Sequence, residues 1–162
     1  MPEKDPTRVM FVCLGNICRS PLAEGVFRHS ARERGVLDAF EIASSGTGAW
    51  HIGQGPDRRM RQTASRHGIS LEGLRGQQLQ WSDLDYYDLI LCMDQNNLDQ
   101  ARSLAGGRFD DKIKLFRSFD PEAPIQDAEV PDPYYGAGDG FERVYDIVSR
   151  TCNALLDELV GC

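Results

Sequence analysis

Four apolar runs, each too short for a helix, are spaced along the chain, and helical patterns fall between and after them. The first is Arg8 to Cys13, and the second is "FEIAS", Phe40 to Ser44. The third, "YDLILCM" from Tyr87 to Met93, is strongly apolar and suits a central strand buried on both faces. The fourth, "KIKLF" from Lys112 to Phe116, alternates as a strand does. Leu22, Val26 and Phe27 keep helical spacing in a stretch that Gly35 ends, and Pro56-Asp57 opens a helix that stops at Gly68. Asp94 caps a helix running to about Ala105, where Gly106-Gly107 end it. Gly140 to Val160 carries an apolar stripe of Phe141, Val144, Ile147, Val148, Leu155 and Leu159. This alternation predicts an α/β fold, a three-layer sandwich with a parallel sheet and helices on both faces. Ligands of such sheets bind at the carboxyl ends of the strands, where strand turns into helix.

A chain of 162 residues suits one domain spanning 1–162, with 1–7 a loose tail of two prolines and three charges. The net charge of −7 argues against nucleic acid or an anionic membrane as the main partner, since both need a basic surface. No apolar run suits a signal peptide or a membrane span, so no membrane insertion is expected. The five cysteines, Cys13, Cys18, Cys92, Cys152 and Cys162, are odd in number and form no CxxC pair. Reduced thiols and a cytoplasmic location follow as expectations. His29, His51 and His67 have no metal-ligand spacing, so no metal is expected.

The turn after the first strand carries the densest chemistry. In "VCLGNICRSP", Ser20 is a suitable helix N-cap and Pro21 suits the first helical position. The loop Leu14, Gly15, Asn16, Ile17, Cys18 and Arg19 therefore sits over a helix N-terminus. Gly15 and Asn16 tolerate unusual backbone angles, so several N–H groups can turn inward to make an anion nest. Arg19 adds a planar fork for two phosphate oxygens. Cys13 is then held below the anion's central atom. A free thiol titrates near about 8.5, so an attacking cysteine needs a setting that favours its thiolate, and inward N–H groups, Arg19 and Ser20 offer one.

This stretch resembles the phosphate-binding loop of the low-molecular-weight protein tyrosine phosphatases. The resemblance covers nearly the whole chain and includes "YDLILCMD" (Tyr87 to Asp94) and "DPYYG" (Asp132 to Gly136). It implies a four-stranded parallel sheet flanked by helices, and cofactor-free hydrolysis of phosphotyrosine in a protein or of a small aryl phosphate, releasing inorganic phosphate. The assembly expected is a monomer or weak homodimer. The resemblance assigns Cys13 as nucleophile, Arg19 as phosphate binder and Asp132 as general acid, then as the base that activates water. Prolines on both sides stiffen Asp132, which fits an acid that must be aimed. A phenyl ring needs flat apolar walls, and the resemblance gives that slot to Trp50, Tyr134 and Tyr135. It also makes Cys18 the redox partner of Cys13, capturing an oxidised thiol as a disulfide. Asn16 is expected to pin the loop through Ser44 or Ser45. The chain departs from relatives at "SLEGLRGQQL", Ser70 to Leu79, where Gly73 and Gly76 intervene, and the stiffness of that wall stays open.

Rival readings share the loop. Relatives that act on phosphoarginine place a threonine after the asparagine, where this chain has the bulky Ile17. Arsenate reductases need two further cysteines on a mobile downstream segment, and only Cys92, inside a strand, is near. A phosphate-binding regulator without turnover has no need of Asp132 beside Cys13 and Arg19.

Overall fold

Alternate residues of the first strand face opposite ways, and that sets the layers. The computed structural model describes residues 5–126, 128–133 and 140–161. Its strands are β1 (Thr7–Cys13), β2 (Phe40–Gly46), β3 (Leu89–Cys92) and β4 (Ile113–Leu115). Its α-helices are α1 (Arg19–Glu33), α2 (Arg58–Arg66), α3 (Trp81–Tyr86), α4 (Gln95–Ala105) and α5 (Gly140–Val160). The four strands form one parallel sheet in the order β2-β1-β3-β4.

From β1, Val9, Phe11 and Cys13 enter the core shared with α1 and α5. Met10 and Val12 enter the other, against Leu98, Ala101 and Ala105 of α4 and Leu84 of α3. Phe11 packs against Phe27 at 5.8 Å and edge-on to Phe116 at 5.3 Å between ring centres. Each of these fully buried rings contributes about 2 kcal/mol by leaving water. The same alternation aims the Cys13 side chain toward the start of α1.

The expected strands and long helices are present, with ends shifted by a residue or two. β1 begins at Thr7, inside the segment read as a tail. Gly106 closes α4 in the left-handed conformation, as its composition foretold. Helix α3 was not foreseen, because six residues are too few to show periodicity; a capping box between Gln80 and Asp83 starts it. No helix among the described residues is long and apolar enough to cross a membrane.

Candidate active site

Cys13 is the last residue of β1 and is almost wholly buried. Its Sγ lies 3.0 Å from Ser20 Oγ and 3.3 Å from the Asn16 backbone nitrogen, which donates to it. Asn16 reaches this geometry at φ 56, in the left-handed region that asparagine tolerates better than most residues. Its side chain fastens the turn it distorts. Asn16 Nδ2 donates to Ser20 Oγ at 2.8 Å and to Ser44 Oγ at 3.1 Å, and Oδ1 accepts from the Gln77 N–H at 2.9 Å. Ser44 in turn donates to the buried Glu24 at 2.7 Å. With Asn16 occupying an acceptor site on Ser20, the serine proton is left for Cys13 Sγ or for the Ser45 carbonyl at 3.3 Å. The backbone N–H groups of Gly15, Ile17 and Cys18 donate to no other described group, so they are available to an anion.

The helix start differs from expectation. Cys18, not Ser20, is the N-cap of α1, and it makes no side-chain cap bond. Arg19 is already helical, and Pro21 lies in the first turn, where its missing N–H costs nothing. The Ser20 hydroxyl is drawn away from capping by Cys13 and Asn16. An uncapped N-terminus over the thiol keeps its positive end for an anion.

Arg19 is 3% exposed, and its position has a cause the local sequence does not contain. Nη1 donates to Asp94 Oδ2 at 2.7 Å and to the Val130 carbonyl at 3.1 Å. That fixes one end of the guanidinium, and at its other end Nη2 lies within ion-pair distance of Asp132. Asp94 also caps α4, its Oδ1 accepting from the Asn97 N–H at 2.8 Å. Both neighbouring acids, Asp94 and Asp132, and the cysteine favour the charged arginine against the cost of its burial. Asp94→Asn should keep the cap, since asparagine caps as well as aspartate, yet release the arginine. Steady-state kinetics on p-nitrophenyl phosphate should show a loss in kcat/KM of about 10²-fold, with the melting temperature little changed. An unchanged kcat/KM would remove Asp94 from that positioning role.

Asp132 is held by the segment before it. The Val130 N–H donates to the Met93 carbonyl at 2.8 Å while its own carbonyl accepts from Arg19, so the chain is clamped two residues upstream of Asp132. Further back, Arg117 joins the Glu129 carbonyl at 2.9 Å to Asp120 Oδ2 at 2.9 Å. Arg150 of α5 grips both oxygens of Asp120 at 2.8 and 2.9 Å. Bonds from Arg150, and also from the Glu122 N–H and Arg117, hold the Asp120 carboxyl far below the usual carboxylate range. A depressed value stabilises the fold above the unfolded value near 3.8, and that contribution fades as pH falls further toward the folded value. Asp120→Asn should therefore cost about 3 kcal/mol at neutral pH. The deficit should shrink below about pH 4, which urea unfolding at several pH values would measure. A deficit independent of pH would contradict the ion-pair account.

Cys13, Arg19 and Asp132 line one cavity of about 420 Å³, together with Leu14, Gly15, Ile17, Cys18, Trp50 and His51. Asp132 Oδ2 stands 3.5 Å from Arg19 Nη2. Trp50 forms part of the wall while remaining 69% exposed, and a side chain on Gly48 would run into its ring. Tyr134 and Tyr135 lie outside the described residues. His51 was not foreseen in the site, although it follows Trp50 directly. Its Nδ1 is 2.8 Å from Gln54 Oε1, and its ring lies over Gly15. The Ser70–Leu79 segment serves as a strut for this wall. Gly76 donates to the Gln54 carbonyl at 2.7 Å and accepts from Gly53 at 2.8 Å, and a Cβ there would collide with the His51 carbonyl. Gln77 completes the link, with Nε2 on the Ser44 carbonyl at 2.8 Å. Among the described residues, no group of three His, Cys, Asp or Glu side chains is gathered as a metal site.

A thiol on the floor of an anion nest, with a carboxyl group on the wall above, is equipment for cysteine-based phosphoryl transfer. The family model described as "low molecular weight phosphotyrosine protein phosphatase" matches residues 8–161, and the chain belongs to that family. It is 43% identical over 150 residues to a low molecular weight protein-tyrosine-phosphatase of Streptomyces coelicolor, covering 92% of this chain and 91% of that one. It is 38% identical over 165 residues to the low molecular weight phosphotyrosine protein phosphatase of Homo sapiens, covering 98% and 99%. The crystal structure of YfkJ from Bacillus subtilis superposes with a TM-score of 0.92 at 37% identity, covering 99% of this chain and 98% of that one.

Proposed function

We propose that the chain is a protein tyrosine phosphatase that hydrolyses phosphotyrosine in proteins, and aryl phosphates, through a phosphocysteine intermediate. Its expected setting is the cytoplasm, as a single 1–162 domain that is a monomer or weak homodimer and uses no cofactor. Family membership supports the activity. The observation that carries the mechanism is the hydrogen-bonded Cys13 Sγ beneath free loop N–H groups, in one cavity with Arg19 and Asp132.

The phosphoryl group sits in the loop, its oxygens on the backbone N–H groups and on the Nε–Nη2 edge of Arg19. Cys13 thiolate attacks phosphorus and forms the S–P bond as the P–O bond to the aryl group breaks. Asp132, protonated, gives its proton to the leaving oxygen. As carboxylate it then takes a proton from water, whose oxygen attacks phosphorus. The S–P bond breaks, and inorganic phosphate leaves. The departing thiolate is received by the Ser20 hydroxyl and the Asn16 N–H. Positioning and fixed dipoles supply most of the acceleration. Trp50, on the cavity wall, supplies an aromatic face for the substrate ring.

Cys18 lines the same cavity, and burial pushes its thiol well above the usual range, so it waits protonated beside Cys13. Peroxide would convert Cys13 thiolate to sulfenic acid. Condensation with the Cys18 thiol then forms a disulfide and releases water. The test is hydrolysis of p-nitrophenyl phosphate over about pH 4 to 9 without metal, before and after peroxide and then a thiol reductant. A metal-independent bell-shaped profile, lost with peroxide and restored by thiol, is expected. Bound orthophosphate without turnover would favour a phosphate-binding regulator instead.

A further inference from the structure

Just beyond the catalytic loop, the outward face of α2 is unlike the rest of this acidic chain. Arg58, Arg61, Gln62 and Ser65 recur at i, i+3, i+4 and i+7, which is one helix face, while Met60, Thr63 and Ala64 are buried on the other. The exposed face borders an open hollow of about 660 Å³, whose opposite wall includes Ser70 and Glu72. A second hollow of about 350 Å³ shares that wall and continues to Arg28 and Arg32 on α1. Arg28 is paired with Glu24 at 2.8 Å. Among the described residues no carboxylate pairs with Arg58, Arg61 or Arg32, and Glu72 is the one acid on the two linings. A chain of net charge −7 thus carries a strip of uncompensated guanidinium groups.

The strip begins at the active site. The Asp57 N–H donates to the Ile17 carbonyl at 2.7 Å, and Ile17 lines the catalytic cavity. Arg58 is the next residue, about 3.8 Å further along the backbone. From Arg58 to Ser65 the helix rises about 10 Å, a span that about three residues of extended chain cover.

We propose that this strip docks an acidic stretch flanking the phosphotyrosine of the protein substrate, so that the enzyme selects phosphotyrosines with neighbouring glutamates or aspartates. The proposal rests on the phosphatase reading above. Guanidinium forks match carboxylates in geometry and charge. In so open a hollow they act on encounter and selection, and the effect falls with salt.

The test compares two phosphotyrosine peptides, one with three glutamates beside the phosphotyrosine and one with three glutamines, each made with the run on either side. The expected result is about tenfold higher kcat/KM for a glutamate peptide at low salt, since several weak surface pairs act together. Arg58→Glu/Arg61→Glu should abolish that preference and leave p-nitrophenyl phosphate turnover unchanged. Lys114→Glu, a single charge reversal at the exposed middle residue of β4, should keep it. No preference in the unmodified enzyme, a preference that survives Arg58→Glu/Arg61→Glu, or one that Lys114→Glu removes equally would overturn the proposal while leaving the phosphatase reading intact. Binding of the unphosphorylated glutamate peptide is measured separately. Its absence, or its displacement by duplex DNA at lower concentration, also overturns the proposal. Failure on p-nitrophenyl phosphate itself would fall on the phosphatase reading.

Discussion

Cys13→Ser is expected to lose turnover of p-nitrophenyl phosphate by at least roughly 10⁴-fold while still binding orthophosphate. A serine hydroxyl is of similar size and can keep the contacts with Ser20 and the Asn16 N–H, so the nest survives. What is lost is the proposed nucleophile, because a hydroxyl with no neighbouring base stays protonated. Every group proposed to hold phosphate lies outside the substituted atom. Calorimetric titration with orthophosphate should therefore give an affinity close to that of the unmodified chain. A variant that turns over at a tenth of the original rate would mean that the chemistry lies elsewhere.

The second large effect belongs to Asp132. Asp132→Ala removes the proposed proton donor, and general acid catalysis of this kind is worth about 10²–10⁴-fold. The size of the loss should depend on the leaving group. Phenyl phosphate expels a basic oxygen and should suffer the full effect, whereas p-nitrophenyl phosphate, with a better leaving group, should suffer less. An equal loss for both substrates would point to a structural role, through the Arg19 contact at 3.5 Å. No loss would remove Asp132 from the acid role.

What the sequence disclosed follows the range over which its causes act. The Cys13 loop was readable because strand end, Gly-Asn turn and Ser-Pro helix start lie within nine residues and each has a local preference. The long helix α5 was readable end to end, since its stripe repeats over 21 residues. The Arg19–Asp94 bond was not, because its partners are 75 residues apart. The parallel pairing of β1 with β3 brings them together, with Val12 opposite Cys92 and Asp94 just past that strand end. A carboxylate there could have been found by laying the strand ends side by side. The start of α1 was misjudged because Ser20 has local grounds to cap a helix but tertiary partners that outbid them. Gly76 left the stiffness of its wall open in the sequence, and in the structure it lets two loops approach closely enough to bond. Nothing local in "LRGQQ" announces that contact.

The central claim is that Cys13 carries the phosphoryl group, and its most direct test is to catch it there. The unmodified protein, mixed with p-nitrophenyl phosphate and quenched within milliseconds in alkaline denaturant, would be digested and examined by mass spectrometry. The account predicts a phosphoryl adduct on Cys13 and none on Cys18, Cys92 or Cys152. Steady turnover with Cys13 unmodified, or an adduct on any other residue, would contradict it.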